Sequence, residues 1–275
     1  MDDYQASVEH WRAQRIARLT APDGWLSLTG LHWLEPGPNT LGSAADNTVV
    51  LAKAPAHLGT IEWRADDTLA LQLAPGSDAL IDGESKSRAI LRDDREPKPT
   101  CVSFGSANFV VIDRGGRKAL RVRDSEAETR TRFAEIESFP VDASWRITAD
   151  WIPFDPPRTL ETANVIGQME RYPVPGKAVF EREGRRHELL PVIEVPGDTQ
   201  LFLIFADGTS GRETYGAARF LYADPPRDGR IVLDFNKAYN PPCAFTAFAT
   251  CPLAPPENRL DLRVTAGEKK YRNGH

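Results

Sequence analysis

The segment NFVVIDRGGRKALRVRD, residues 108–124, has the pattern of a β-hairpin. Two runs rich in β-branched and other apolar residues flank the sequence Arg114–Gly115–Gly116–Arg117. Gly-Gly readily adopts the positive φ values that a tight turn between two strands requires. We therefore predict two antiparallel strands joined by this turn.

Similar short runs continue on both sides of the hairpin, separated by Gly, Pro, Asp and Asn. Strands at this spacing are typical of a sandwich or a barrel and not of alternating βαβ units, so the sequence predicts an all-β, mainly antiparallel fold. The later runs are bounded by Pro or Gly, as in VPGK at 174–177. The runs before the hairpin are WLSLTGLHWL, TVVLA, GTIEWR, TLALQLA, ALIDG and TCVSF, and those after it are WRITADWIPF, TLETANVI, KAVFERE, HELLPVIEV, TQLFLIFAD, YGAARFLYA, RIVLDF and RLDLRVTA.

One helix is predicted, at the N-terminal end of the chain. Apolar residues recur there at helical spacing, and the sequence Ala-Pro-Asp-Gly at 21–24 stops the pattern. The charged stretch DSEAETRTRF is predicted to be a short helix or an exposed loop, and it marks a boundary between two β units. We therefore expect an N-terminal helix at 1–22, a β-sandwich at 23–125 and a second antiparallel sandwich or barrel-like unit at 126–275.

Composition excludes several classes of function. The chain has 275 residues, ordinary apolar and charged fractions of 41% and 27%, and a net charge of −5. That charge argues against binding to nucleic acid, which needs a basic surface. The acidic, amphipathic N-terminal sequence lacks a signal-like apolar core, and the run LFLIF has only the length of a strand, so we expect no membrane span and a cytoplasmic location.

The region 40–63, followed by ALIDG, resembles a forkhead-associated domain, a β-sandwich whose loops bind phosphothreonine peptides. The residues that bind phosphate in that family are missing here. Its Gly-Arg pair appears as Gly42–Ser43, its Ser-x-x-His as Ala54–Pro55–Ala56–His57, and its Asn-Gly as Asp82–Gly83. We therefore predict a forkhead-associated-like fold without phosphopeptide binding.

A second resemblance spans nearly the whole chain. It is strongest in the sequence DFNKAYNPPCAF, which begins at Asp234, and it extends to GWLSLTGLHWLEPG, RGGRKALRVRD, FADGTSGRETYGAARFLY and CPLAPPENRL. Together these segments resemble the bacterial family called domain of unknown function 1684. The resemblance implies an uncharacterised cytosolic protein and supplies no established catalytic residues.

Three cysteines do not form a disulfide framework. Cys101 lies in the predicted strand TCVSF and is interpreted as a small buried apolar residue. Cys243 and Cys251 are expected to be reduced, buried thiols, although Cys243 is also a candidate nucleophile in a thiol-dependent enzyme. Their spacing, with no histidine close in sequence, predicts no metal site, and no cofactor is expected.

The loop 234–258 combines prolines, asparagines and aromatic residues in an unusual density. One interpretation is structural, in which the asparagines and a pair between Asp234 and Arg219 satisfy a buried connection. The other is functional: this loop meets the loop 207–219 and forms a pocket for a small polar or anionic ligand. The predicted ligand-binding residues are Thr214, Tyr215, Arg219, Asn236, Tyr239 and Asn240.

An enzymatic alternative uses residues in or near the same region. Asp234 or Glu268 is the candidate acid–base group, and Cys243 is the candidate nucleophile. A hydrolase in which Ser210 acts with His32 and an aspartate is a further alternative, although the Gly-x-Ser-x-Gly nucleophile motif is absent. Convergence of the Arg219 guanidinium and the Asn240 amide on one pocket would favour ligand binding.

Overall fold

The computed structural model describes residues 3–271 of the chain, and it confirms the predicted all-β, mainly antiparallel fold with an N-terminal helix. Helix α1 spans Asp3–Leu19, and a short helix, α2, spans Glu128–Thr131. The chain divides into two compact units: Leu19–Phe133 forms one, and the helix up to Arg18 belongs with the chain from Ala134 onward in the other. These units differ from the expected 1–22, 23–125 and 126–275 division, because α1 clusters with the C-terminal residues.

The unit Leu19–Phe133 is a β-sandwich. Two five-stranded sheets, with the strand orders β1-β10-β9-β8-β6 and β3-β2-β4-β5-β7, enclose one apolar core, and the β2–β3 pair is the parallel one. Leu71 from one sheet and Phe109 from the other are both buried in that core. The strands are β1 Leu28–Trp33, β2 Gly37–Gly42, β3 Val49–Val50, β4 Gly59–Trp63, β5 Leu69–Leu73, β6 Leu80–Ile81, β7 Arg88–Ile90, β8 Cys101–Phe104, β9 Ala107–Arg114 and β10 Arg117–Asp124.

The predicted hairpin is confirmed as β9 and β10. Its strands pair antiparallel, and Arg114 lies opposite Arg117 at the closing position of the turn. Gly115 and Gly116 have φ values of 65° and 82°, the left-handed region that residues with a side chain adopt at a cost. The two glycines therefore fix this turn.

The unit that contains the chain from Ala134 onward has a four-stranded sheet, in the order β13-β12-β11-β16, and the two-stranded pair β14–β15. A second apolar core, which includes Leu203, Leu233 and Phe235, lies within this unit. The strands are β11 Arg146–Ala163, β12 Met169–Arg182, β13 Arg185–Leu189, β14 Leu201–Phe205, β15 Arg219–Ala223 and β16 Arg230–Asp234.

Strands β11 and β12 are longer than the sequence pattern predicts, because prolines interpreted as strand boundaries lie inside them. The interpretation of VPGK as a strand boundary is wrong, since Val174 and Gly176 pair with β11. Strand β16 pairs with β11 only as far as Asp150, and the β11–β12 register is irregular between Pro153 and Arg158. Proline is tolerated where one neighbour is missing or the ladder is disrupted.

The predicted strand RLDLRVTA, residues 259–266, is wrong. Leu260, Leu262 and Val264 keep the alternating burial of a strand, but the segment is assigned to no strand. The carbonyl oxygens of Val264 and Ala266 instead accept hydrogen bonds from the Arg219 guanidinium. A buried side chain thus takes the place of a neighbouring strand.

Candidate functional site

Helix α1 is held against its unit by hydrogen bonds from three of its side chains. The Tyr4 hydroxyl donates to Asp234 Oδ1 at 2.7 Å. Arg12 Nη2 donates to the carbonyl oxygen of Phe139 at 2.9 Å. Arg15, which is buried, is the third, and it connects the helix to the buried carboxylate described next.

Glu268 is a buried carboxylate with two donors. Its Oε1 accepts from Arg15 Nε at 3.3 Å, and its Oε2 accepts from the peptide N–H of Asn240 at 2.7 Å. The residue is only 4% exposed. Burial raises the pKa of the Glu268 carboxyl group, and the opposing effects of Arg15 and the Asn240 N–H do not cancel that rise.

Two of the predicted ligand-binding residues, Tyr239 and Asn240, contact Arg15 beside this carboxylate. Arg15 Nη2 donates to the carbonyl oxygen of Asn240 at 2.9 Å, and its guanidinium carbon lies 4.7 Å from the centre of the Tyr239 ring. The Asn240 side chain donates through Nδ2 to the carbonyl oxygen of Lys269 at 2.8 Å. Its Oδ1 is buried and has no hydrogen-bond partner among residues 3–271, an arrangement that is costly and uncommon in folded proteins.

A cavity of about 250 Å³ lies beside this cluster. Three carboxylate side chains and one guanidinium line it, and that guanidinium, from Arg12, lies 3.2 Å from Glu9 Oε1. The lining therefore has an excess of acceptors and of negative formal charge. The residues that line the cavity are Glu9, Arg12, Ile16, Glu135, Ile136, Ser138 and Glu268.

Arg219 has a structural role that differs from the predicted one. Its side chain is fully buried and pairs with Asp207 at 2.6 Å, so the expected pair with Asp234 is wrong. Its two terminal nitrogens also donate to backbone carbonyls at 2.5 Å and 3.0 Å. Burial lowers the pKa of the guanidinium against the opposing effect of Asp207. In this structure Arg219 stabilises the interior and does not face solvent.

The other predicted residues of the region are also occupied by internal contacts. Thr214 is buried, and its hydroxyl lies 2.9 Å from that of Thr209. Asn236 is 1% exposed and donates to the Tyr4 hydroxyl and to the carbonyl oxygen of Asp142. The acid–base candidate Asp234 is likewise buried and accepts the Tyr4 hydroxyl hydrogen bond.

The loops 207–219 and 234–258 do meet. Phe220, which directly follows the first loop, and Tyr239, which lies in the second, exchange two backbone hydrogen bonds of 2.9 Å. The N–H of Ala254 in the second loop also donates to the carbonyl oxygen of Ala217 in the first. Tyr215, which is half-buried, donates through its hydroxyl to the carbonyl oxygen of Cys243 at 3.2 Å. The convergence follows the prediction, but four of the six predicted ligand-binding residues lie in the interior of the junction.

Cys101, Cys243 and Cys251 form no disulfide in the described residues, and they lie in two environments. The backbone N–H of Cys243 donates to the sulfur of Cys251 at 3.2 Å. A hydrogen bond from the Cys251 thiol, assisted by the Tyr215 hydroxyl, lowers the pKa of Cys243 against the effect of burial. Cys101, in β8, is in the opposite situation, since burial raises the pKa of its thiol.

Metal and membrane features were also part of the prediction. Within residues 3–271, no three histidine, cysteine or acidic side chains are grouped closely enough to hold a metal ion. No helix in this range combines the length and the apolar character needed to cross a membrane.

Of the hydrolase candidates, Ser210 accepts a hydrogen bond from the N–H of Asp207, and His32 lies in β1 of the other compact unit.

Arg12, Arg15 and the segment 135–138 belong to the cavity region, although the sequence pattern did not indicate them. One signal was present: Arg15 interrupts the apolar stripe of α1, at a position where a charged side chain must find a buried partner. Its partner Glu268 lies 253 residues away, so sequence spacing could not identify the pair.

The fold and this region define a β-rich protein of two compact units, with a buried carboxylate beside a small cavity. Residues 131–269 match the family described as "Protein of unknown function (DUF1684)", and the chain belongs to that family. An uncharacterized protein of Haloarcula marismortui, solved by solution NMR, is 31% identical; the match covers 51% of this chain and 78% of that chain, with a TM-score of 0.43. The comparison with curated proteins gives no match.

Proposed function

We propose that this chain binds a small polar molecule, one that carries hydrogen-bond donors, in the cavity lined by Glu268. The observation that carries the proposal is a buried carboxylate at the wall of a cavity of about 250 Å³. The two oxygens of the Glu268 side chain offer about four lone-pair positions, of which two are used here by Arg15 and Asn240. A cavity of about 250 Å³ is large enough for a small molecule.

The charges of the lining narrow the chemical class of the ligand. The sequence predicted a polar or an anionic ligand, but the lining has the carboxylates of Glu9, Glu135 and Glu268 against the single guanidinium of Arg12. Negative potential of this kind disfavours an anion. We therefore propose a neutral or cationic ligand, such as a polyol or an amine. Of the acid–base and nucleophile candidates, Glu268 lines this cavity, so any chemistry on the bound molecule is assigned to it.

A thermal-shift screen tests the proposal. The panel would contain small polyols and amines, with small carboxylates and inorganic phosphate for comparison. A ligand of the folded state at about 100 times its Kd adds about 2.7 kcal/mol to stability, so Tm should rise in a saturable manner with a polyol or an amine. Glu268→Gln should weaken that response.

Glu257→Gln is the matched control, because Glu257 is an exposed glutamate of the same compact unit and does not line the cavity. It should respond to the ligand as the wild type does. The proposal fails if carboxylates and phosphate, rather than polyols and amines, shift Tm, or if the two variants respond alike.

The proposal also includes a cytoplasmic location, a forkhead-associated-like fold and the absence of phosphopeptide binding. A cytoplasmic location is supported by the reduced state of the three cysteines, since reduced thiols are typical of that compartment. The sandwich of Leu19–Phe133 is proposed to be forkhead-associated-like. The absence of phosphopeptide binding is supported by Asp82, whose carboxylate is occupied by the N–H of Cys101 and by Arg92, both at 3.0 Å.

A further inference from the structure

Cys243 and Cys251 form a close pair of reduced thiols that the proposed ligand site does not use. Seven residues separate them in the chain, and the fold places Cys251 next to Cys243 in space. The sulfur of Cys251 lies 3.2 Å from the backbone nitrogen of Cys243 and accepts a hydrogen bond from that N–H. Because a disulfide forms only when both sulfurs can approach without a large backbone movement, this proximity is the first requirement for one.

The surroundings distinguish the two thiols chemically. The Tyr215 hydroxyl donates to the carbonyl oxygen of Cys243 at 3.2 Å, and the Cys251 thiol and this hydroxyl lower the pKa of the Cys243 thiol. The thiolate is the attacking form in exchange with a disulfide. Cys243 is therefore the attacking residue of the pair, and Cys251 is the neighbour that can complete the reaction.

Both residues are largely buried, with Cys243 7% exposed and Cys251 6% exposed. Cys243 is part of the short 3-10 turn Pro242–Ala244, and the preceding residue Pro241 is extended. Access to the thiols therefore involves a short, irregular segment and does not require a strand to leave a sheet.

We propose that Cys243 and Cys251 are a dithiol site that exchanges with low-molecular-weight disulfides and closes reversibly to an intramolecular disulfide. The Cys243 thiolate attacks one sulfur of the reagent, the reagent's S–S bond breaks, and one thiolate leaves. The Cys251 thiol then loses its proton, and the resulting thiolate attacks the Cys243 sulfur of the mixed disulfide and releases the second thiolate of the reagent. The protein loses two electrons and two protons, and the reagent disulfide takes them up to become two thiols.

The test uses the full-length wild-type chain and glutathione as the probe. Reduced protein is equilibrated with mixtures of oxidised and reduced glutathione, quenched in acid, alkylated and analysed by intact mass and peptide mapping. We expect two of the three thiols to be lost together, with a cross-link between the peptides of Cys243 and Cys251 and with Cys101 alkylated. Excess reduced glutathione should restore all three thiols.

Two variants separate the roles. Cys101→Ser is the matched control and should still lose two thiols, because Cys101 lies in the other compact unit. Cys251→Ser should stop at a glutathione adduct on Cys243. The proposal is overturned if the wild type keeps three alkylatable thiols at every glutathione ratio, or if Cys101 forms the first adduct. The wild-type mapping decides the matter even if a variant fails to fold.

Discussion

At the scale of single residues, two ion pairs of equal length show how burial changes the meaning of a contact. Arg219–Asp207 and Arg185–Asp261 both have a nitrogen–oxygen distance of 2.6 Å. The side chains of the first pair are fully buried, and those of the second are 66% and 92% exposed. Removing one partner of a buried pair leaves a charge that water cannot solvate, whereas an exposed charge is simply hydrated.

This contrast gives a stability prediction for Arg219→Met. The substitution leaves the Asp207 carboxylate buried without its cation, so we expect the free energy of unfolding to fall by about 3–5 kcal/mol. Arg185→Met is the matched control and should cost less than about 1 kcal/mol. Urea unfolding followed by circular dichroism measures both, and equal losses would show that Arg219 is not the structural residue described above.

The raised pKa of Glu268 leads us to expect that the free energy of unfolding depends on pH. Burial raises its pKa above the usual value of 4.5, so the unfolded chain releases this proton at a lower pH than the folded chain does. The contribution of Glu268 to stability is therefore fully present below about pH 4.5 and is lost as the pH rises through the folded pKa. Glu268→Gln does not titrate, so the stability of the wild type relative to this variant should decrease over that range.

Urea unfolding at a series of pH values measures this difference, with Glu257→Gln as the control. Glu257 is exposed, so its substitution should leave the pH profile close to that of the wild type. A wild type that gains stability relative to Glu268→Gln as the pH rises would contradict the assigned direction of the pKa.

At the scale of secondary structure, the sequence correctly predicted the elements whose conformation depends on residues close together in the chain. The β9–β10 hairpin follows from its alternating pattern and from Gly115–Gly116, and α1 follows from its apolar spacing. RLDLRVTA has the same alternation but forms no strand, and Arg219 takes two of its carbonyl groups. The Arg15–Glu268 pair was likewise beyond prediction, since tertiary structure alone brings those residues together.

The attachment of α1 provides a prediction at this scale. Arg15→Ala removes the cation beside Glu268 and a donor to the carbonyl of Asn240, so we expect α1 to dissociate from its unit more readily. Amide hydrogen exchange should then accelerate across Asp3–Leu19. The matched control is Arg18→Ala in the same helix, whose exposed side chain should be replaceable with little change. Equal protection in both variants would show that the Arg15 contacts do not hold the helix.

At the scale of the whole molecule, the two compact units differ in how the chain builds them. The sandwich is one continuous segment, Leu19–Phe133, and every member of its core cluster lies inside that segment. The other unit is discontinuous, because α1 joins the chain from Ala134 onward and supplies Tyr4 to Asp234 and Arg15 to Glu268. A continuous segment with its own apolar core has what independent folding requires.

We therefore expect the two units to respond differently when the chain is cut. A fragment of residues 19–133 should fold alone, with a β-type circular dichroism spectrum and a cooperative unfolding transition. A fragment of residues 134–275 should be markedly less stable, because Glu268 keeps its burial and loses Arg15. Adding a peptide of residues 1–18 should restore stability in proportion to its occupancy. The same peptide with Arg15→Ala should restore less, and a 134–275 fragment as stable alone as with the peptide would show that α1 is not an integral part of its unit.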